Sequence, residues 1–413
     1  MSDKKTAVFV VMDGVGDRPL KELRDKTPLQ AAITPTFDRL ATEGQNGLMN
    51  VIGPGITPGS DTAHLALFGY DPVGEYPGRG PLEAFGAGLE TKPGDVAFRS
   101  NFATVDSDMV VLDRRAGRDF TPEEQAELQA ALDGIEIDGV KVRFIATVEH
   151  RGALVLKGEG LYADISDVDP HETGKKILLV RGLTPEAEKT ARIVNKLMKV
   201  AHERMKVLET NKERAKKGIP LANALLLRGP GRHTDVPPLP DRYGIKAAVI
   251  AGGALYIGTA KYVGMAHIPV EGQTGTIDTN FDNIAAKTIE TIKSDYNYVF
   301  VHIKATDNAS HDGDAKEKVL AIEKTDEMVG KILDAVENEL VIAITGDHTT
   351  AVDVGEHQCD PVPIVFWSNF IRPDSVKRFS EIDAAQGALH TIRGIDVMPM
   401  LLGYSGYIEK FGA

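Results

Sequence analysis

Short apolar runs alternate with amphipathic stretches at both ends of the chain. AVFVVM near the start, and AAVIAG, YVFVHI, LVIAIT and PVPIVFW near the end, are continuous and rich in β-branched residues. Runs of this kind predict strands buried on both faces, as in a parallel sheet. Between the late runs lie ALYIGTAKYVGM, FDNIAAKTIETIKS and a stretch from Asp314 to Glu337, all with helical spacing of apolar positions. Thr34-Pro35 reads as the N-cap and first turn of a helix that uses Phe37 and Leu40 and stops at Gly44. A turn-rich stretch, GPGITPGSD, then leads into TAHLALFGY, which predicts a short helix closed by Gly69.

From about Gly78 the rhythm changes. FRSNFATV, MVVLD, VKVRFIATVE and GALVLKG are short β-type runs broken by Gly and Asp, with a helical TPEEQAELQAALDG among them. Thr184 to Lys217 reads as one long charged helix, striped by Ile193, Leu197, Val200 and Met205. Pro237, Pro238 and Pro240 mark the clearest linker. The pattern predicts a discontinuous α/β domain over 1–78 and 241–413, with a mostly parallel sheet and helices on both faces. A smaller α+β domain over 79–240, with a linker helix, interrupts it.

At 413 residues the chain is long enough for two cores. The net charge of −13 argues against nucleic-acid or anionic-membrane partners, although a metal or a local Arg cluster can reverse the sign at a phosphate site. A single cysteine, Cys359, excludes an intramolecular disulfide framework and suits a reducing cytoplasm. No apolar run approaches the roughly 18–20 residues of a membrane span. The composition therefore predicts a cytoplasmic enzyme, and a homo-oligomer is left open.

The chemistry concentrates at the strand ends. Asp13 follows the first apolar run, Asp307 and His311 follow YVFVHI, Asp347-His348 follow LVIAIT, and His357 comes shortly after. In an open α/β sheet, ligand-binding side chains gather beyond the carboxyl ends of the strands. Each Asp alone also reads as a turn residue or cap, and each His as a surface residue. Their joint position favours a two-metal site of Mn, Co, Mg or Zn type over a thiolate site. Asp307 and His311 are four apart, so they share a face if helical, whereas Gly313 points to a loop. Ser60 opens a helix after a Gly-rich turn, where it serves either as a nucleophile beside a metal or simply as the N-cap.

Taken in order, MDGVGDRP, TPLQAAITPTFDRLATEG, TPGSDTAHLALFGYDP, ATDNASHDGD, TGDHTT and EHQCDPVPI resemble the archaeal-type cofactor-independent phosphoglycerate mutases of the alkaline phosphatase superfamily. DRRAGR, DVDPH and LLLRGPGR in the insert point to the mutase branch rather than to general phosphatases. The resemblance implies an alkaline-phosphatase-like fold. It also implies a phosphoserine at Ser60, with Asp13, Ser60, Asp347 and His348 on one divalent metal and Asp307, His311 and His357 on a second. The implied reaction interconverts 2- and 3-phosphoglycerate without 2,3-bisphosphoglycerate, in glycolysis and gluconeogenesis. Under this resemblance the insert closes over the substrate and excludes water.

Arginine suits carboxylate and phosphate, so Arg114, Arg115, Arg118, Arg228 and Arg232 are candidate substrate holders, followed by Arg151, Lys261, Asp169 and His171. The insert is shorter than in the bacterial form, whose arginine pattern can be followed only loosely. The alternatives are a metal-dependent phosphohydrolase or a mutase of another phosphorylated metabolite. A dinucleotide fingerprint and an ATP-binding P-loop are both missing. His64 reads as part of its helix, and Cys359 as packing.

Overall fold

The computed structural model describes residues 4–410 and 412. The chain divides into two units, Met1–Tyr76 with Val236–Ala413, and Pro77–Asp235. Pro237, Pro238 and Pro240 fall in the first unit, where Leu239–Tyr243 forms a short helix.

Among the described residues, the main sheet of the first unit has eight strands. Their order is Ala266–His267, Ala247–Ile250, Tyr298–Ile303, Thr6–Met12, Leu340–Thr345, Val362–Trp367, Gln45–Asn50 and Thr391–Arg393. Tyr298–Ile303 and Leu340–Thr345 are buried along their whole length, as is Thr6–Met12 apart from its first residue, because continuous apolar runs must be covered on both faces. One face packs Val8, Val10, Val301 and Ile344 against Phe37, Ile284, Ile322 and Leu333 of the flanking helices. On the other face Phe300 meets Phe9 and Phe68, with ring centroids 5.8 and 4.9 Å apart. Each fully buried aliphatic or aromatic side chain contributes about 1.5–3 kcal/mol, so truncating central valines would open cavities rather than relax the sheet.

Register decides where the chemistry falls. Met12 pairs with Ile303 and Val11 with Thr345, both in parallel ladders. Three neighbouring strands therefore end on the same edge, and the residues that follow them are neighbours in space. Val362–Trp367, read from sequence as one more strand of a parallel rhythm, instead pairs antiparallel with both Leu340–Thr345 and Gln45–Asn50.

The second unit has an antiparallel sheet centred on Val96–Val105, which pairs with Arg151–Lys157 and Ala224–Arg232. Helices Pro122–Leu132 and Glu188–Met205 bury Leu128, Ile193 and Leu197 against Phe98, Phe144 and Leu227. The single long helix expected from Thr184 to Lys217 is broken. A 3-10 turn at Pro185–Ala187 leads into Glu188–Met205, and a separate helix runs Glu209–Lys216. The break is held because the Asn211 amide donates to the carbonyls of Met205 and Ala222 at 2.8 and 2.9 Å. Among the described residues, no helix is long and apolar enough to cross a membrane.

Candidate active site

Asp13 leaves the strand Thr6–Met12, and its N–H still donates to the Ile303 carbonyl at 2.8 Å. Gly14 follows with φ +61°, and its N–H donates to Asp347 Oδ1 at 3.0 Å. A side chain at this position would start 2.5 Å from Thr350 Oγ1 and 2.7 Å from Asp307 Oδ1, so both the turn and the space require glycine.

The first cluster forms around His348. Its Nε2 lies 3.2 Å from Asp13 Oδ1, 3.4 Å from Asp347 Oδ2 and 3.3 Å from Ser60 Oγ. Asp13, Asp347 and His348 are buried, and Asp13 Oδ1 and Asp347 Oδ2 have no hydrogen-bond partner. Unpartnered buried carboxylate oxygens are costly unless a cation or another donor joins them. Ser60 is the first residue of the helix Ser60–Leu67, whose N-cap is Gly59. Its hydroxyl is therefore not spent on capping.

Asp307 and His311 lie on the helix Ala305–His311, which places both on one face. His311 Nε2 is 3.4 Å and His357 Nε2 3.8 Å from the Asp307 carboxylate. The tightest second grouping takes Asp307, His348 and His357, whose donor atoms lie within 4.8 Å of one another. His311 joins Asp307 from the more exposed side.

Electrostatics set the two clusters apart. Burial would raise Asp13, but the Lys304 ammonium, His302 and His348 hold it well below the ordinary value. Burial and the Asp13 charge push Asp347 up to about 8. Asp307 is held down at about 2 because His311, Lys304 and His348 outweigh burial and the Asp13 charge. Its hydrogen bond to Asp307 raises His311 to about 9. The first cluster thus lacks the positive charge that full ionisation of Asp347 at neutral pH would need. Oxygen and imidazole donors around such a deficit fit a divalent cation of Mn, Co, Mg or Zn type.

Sequence reasoning missed Lys304, whose Nζ bridges Asp307 Oδ2 at 2.6 Å and Asp13 Oδ2 at 3.2 Å. The one signal for it was the i,i+3 spacing to Asp307 within KATD. Behind Asp13 stands His302, 3.3 Å away, with Tyr256 stacked on its ring at 3.7 Å. His64 lies in its helix, where its Nδ1–H donates to the Ser60 carbonyl at 2.6 Å. Burial, then the His302 charge, lowers it to about 3, so the ring is neutral.

In the second unit Arg114 grips Asp169 with two hydrogen bonds of 2.7 and 3.2 Å, and Arg228 Nη1 stands 3.9 Å from the same carboxylate. Arg228 pairs across the sheet with Arg99, and Arg151 with Asn101, which puts these arginines on one face. Burial lowers Arg99 to about 10, with Arg79, Arg228 and Arg151 acting against Glu83. Arg228 is lowered mainly by burial, and its Nε is buried without a hydrogen-bond partner. Crowded, partly desolvated guanidiniums of this kind call for an anion. Arg79 and Arg99 were not singled out from the sequence, because cross-strand neighbours are invisible before the register is known.

The remaining candidates do not gather on this face: Arg232 pairs with Val96, whose side chain points away from that of Arg99. His171 donates its backbone N–H to Asp169 and meets Asp167 at 3.2 Å. Arg118 is exposed but acts on His150 alongside Arg151. Arg115 is exposed, Arg232 lies over the Tyr162 ring, and Lys261, in the other unit, neighbours His267.

A family model described as 2,3-bisphosphoglycerate-independent phosphoglycerate mutase matches residues 41–211. The chain is 49% identical over 416 residues to 2,3-bisphosphoglycerate-independent phosphoglycerate mutase 1 of Methanocaldococcus jannaschii, covering 100% of both. The solved structure of a cofactor-independent phosphoglycerate mutase from Thermoplasma acidophilum aligns with TM-score 0.76 and 36% identity, over 97% of this chain and 100% of that one. A Pyrococcus horikoshii protein of solved structure aligns with TM-score 0.85 and 37% identity over 100% of both chains. Identity of 49% over the whole of both chains bears out the resemblance carried by the motifs, and the chain belongs to the 2,3-bisphosphoglycerate-independent phosphoglycerate mutases, a family of isomerases.

Proposed function

We propose that the chain interconverts 3-phosphoglycerate and 2-phosphoglycerate through a phosphoserine at Ser60, without 2,3-bisphosphoglycerate. The observation that carries this reading is Ser60 Oγ. It is free of capping duty and lies 3.3 Å from His348 Nε2, beside two unpartnered buried carboxylate oxygens. Asp13, Asp347, His348 and Ser60 would hold one divalent cation, and Asp307, His311 and His357 a second. Bound there, two such ions lower the pKa of a hydroxyl and brace the charge that develops in phosphoryl transfer.

The transfer balances within substrate and serine. Ser60 Oγ gives up its proton and forms a bond to phosphorus as the phosphate's bond to the 3-oxygen breaks, and that oxygen takes up the proton. In the second half the glycerate 2-hydroxyl attacks the phosphoserine as the Ser60 Oγ–P bond breaks, and its proton returns to Ser60. Lys304, held between Asp13 and Asp307, keeps positive charge beside the transferring group. Arg114, Arg228, Arg151 and Arg99 are assigned to the substrate's carboxylate and to retaining the glycerate between the two halves. Glycerate loss followed by water attack would turn the same chemistry into a phosphohydrolase.

The test is conversion of 3-phosphoglycerate to 2-phosphoglycerate with no added bisphosphoglycerate, with free phosphate measured alongside. Isomerisation far in excess of phosphate release supports the reading. Phosphate as the main product makes the chain a hydrolase.

A further inference from the structure

Thr350 is buried and stands between the two clusters without belonging to either ligand set. Its Oγ1 lies 3.0 Å from His348 Nδ1 and 2.8 Å from Asp307 Oδ1. It sits on the short strand Thr349–Ala351, which pairs antiparallel with Glu356–Gln358 and places Thr350 directly opposite His357. Two candidate ligands, Asp307 and His348, thus flank one hydroxyl, and a third, His357, is the cross-strand partner of its residue.

A hydroxyl has one proton to give, so the direction of each bond follows from its neighbours. With the His348 Nε2 lone pair turned to a cation beside Asp13 and Asp347, the ring proton resides on Nδ1. That N–H donates to Thr350 Oγ1, and the Thr350 O–H donates onward to Asp307 Oδ1. With the opposite tautomer, the threonine proton would turn to Nδ1, Asp307 Oδ1 would lose the Thr350 donor, and an N–H would face the cation.

We infer that Thr350 is a positioning residue that couples the two cation sites, fixing the His348 tautomer for one and the Asp307 carboxylate for the other. The inference rests on the two-cation reading above.

The surroundings hold this hydroxyl in place. The Thr350 N–H donates to the Gly16 carbonyl at 3.2 Å. Lys318, fully buried, donates to the carbonyls of Thr350 and Gly16 at 2.9 and 3.1 Å and to Asp17 at 2.7 Å. Gly14 closes the remaining side, where a Cβ would come within 2.5 Å of Oγ1. The loop after Asp13 and the strand of Thr350 are therefore tied to one ammonium. Partners that orient a ligand in this way change metal affinity by about 10–100-fold when lost.

The test is calorimetric and spectroscopic titration of the chelated full-length protein with Co²⁺, for wild type, Thr350→Val and Thr350→Ser. Wild type is expected to take up two ions. Thr350→Val should weaken uptake about 10–100-fold and alter the Co²⁺ d–d spectrum, and Thr350→Ser should restore both. Wild-type uptake of fewer than two ions defeats the two-cation reading itself. Two ions bound by wild type and by Thr350→Val with equal affinity and spectrum overturn the coupling role alone. Should Thr350→Val not fold, ¹⁵N-histidine NMR of the Zn²⁺-loaded wild type decides: His348 protonated at Nδ1 supports the inference, and Zn²⁺ held through Nδ1 overturns it.

Discussion

Asp13 Oδ1 lies 3.2 Å from His348 Nε2, although the two residues come from opposite ends of the chain. The parallel pairing of Thr6–Met12 with Leu340–Thr345 makes the contact inevitable once the strands are in register. With Ser60 Oγ at the same nitrogen, the fold has placed a hydroxyl, two carboxylates and an imidazole around one point.

Replacing Ser60 with alanine should abolish isomerisation while leaving the fold intact. Gly59, not Ser60, caps the helix, so the stability change should stay within about 0.5 kcal/mol. Turnover and thermal melting of Ser60→Ala check this together, and near-normal turnover would remove Ser60 from the mechanism.

Chelation should inactivate the protein and lower its melting temperature, with Mn²⁺ or Co²⁺ restoring both. A cation present at a hundredfold its dissociation constant adds about 2.7 kcal/mol to the native state. Unchanged activity in excess EDTA would contradict the reading of the Asp13 and Asp307 clusters.

Lys304 should matter most to the chelated protein. Its ammonium is the cation that joins Asp13 to Asp307, and removing one partner of a buried ion pair costs about 3–5 kcal/mol. Chelated Lys304→Met should therefore melt well below chelated wild type, and saturating Mn²⁺ should narrow the gap. An equal gap with and without Mn²⁺ would show that cations and Lys304 do not share these carboxylates.

Arg228→Ala should lower kcat/KM at least about tenfold, equivalent to about 1.4 kcal/mol, and raise the share of phosphate released to water. Its Nε is buried without a partner, so the side chain is built to meet an anion. An unchanged ratio of isomer to phosphate would separate the arginine face from substrate retention.

The residues legible in the sequence were those that follow long apolar runs. Asp13, Asp307 and Asp347-His348 each come shortly after a strand whose continuous β-branched pattern announced it, and shared strand direction brings them together. Thr350, Lys304, Arg79 and Arg99 were not legible, since their roles come from partners on other strands and helices. The direction of Val362–Trp367 was hidden because an apolar run buried on both faces looks the same in either orientation. The break after Met205 was also silent: MKVLET holds no Gly or Pro, and the helix end is held by a side-chain bond from Asn211.

The most direct test of the central claim is where the phosphoryl group rests in mid-reaction. Metal-loaded protein turning over ³²P-labelled 3-phosphoglycerate would be acid-quenched, digested and mapped. The account predicts label on the peptide containing Ser60 and none in Ser60→Ala. Full turnover with Ser60 unlabelled at every quench time, or label on another side chain, would contradict it.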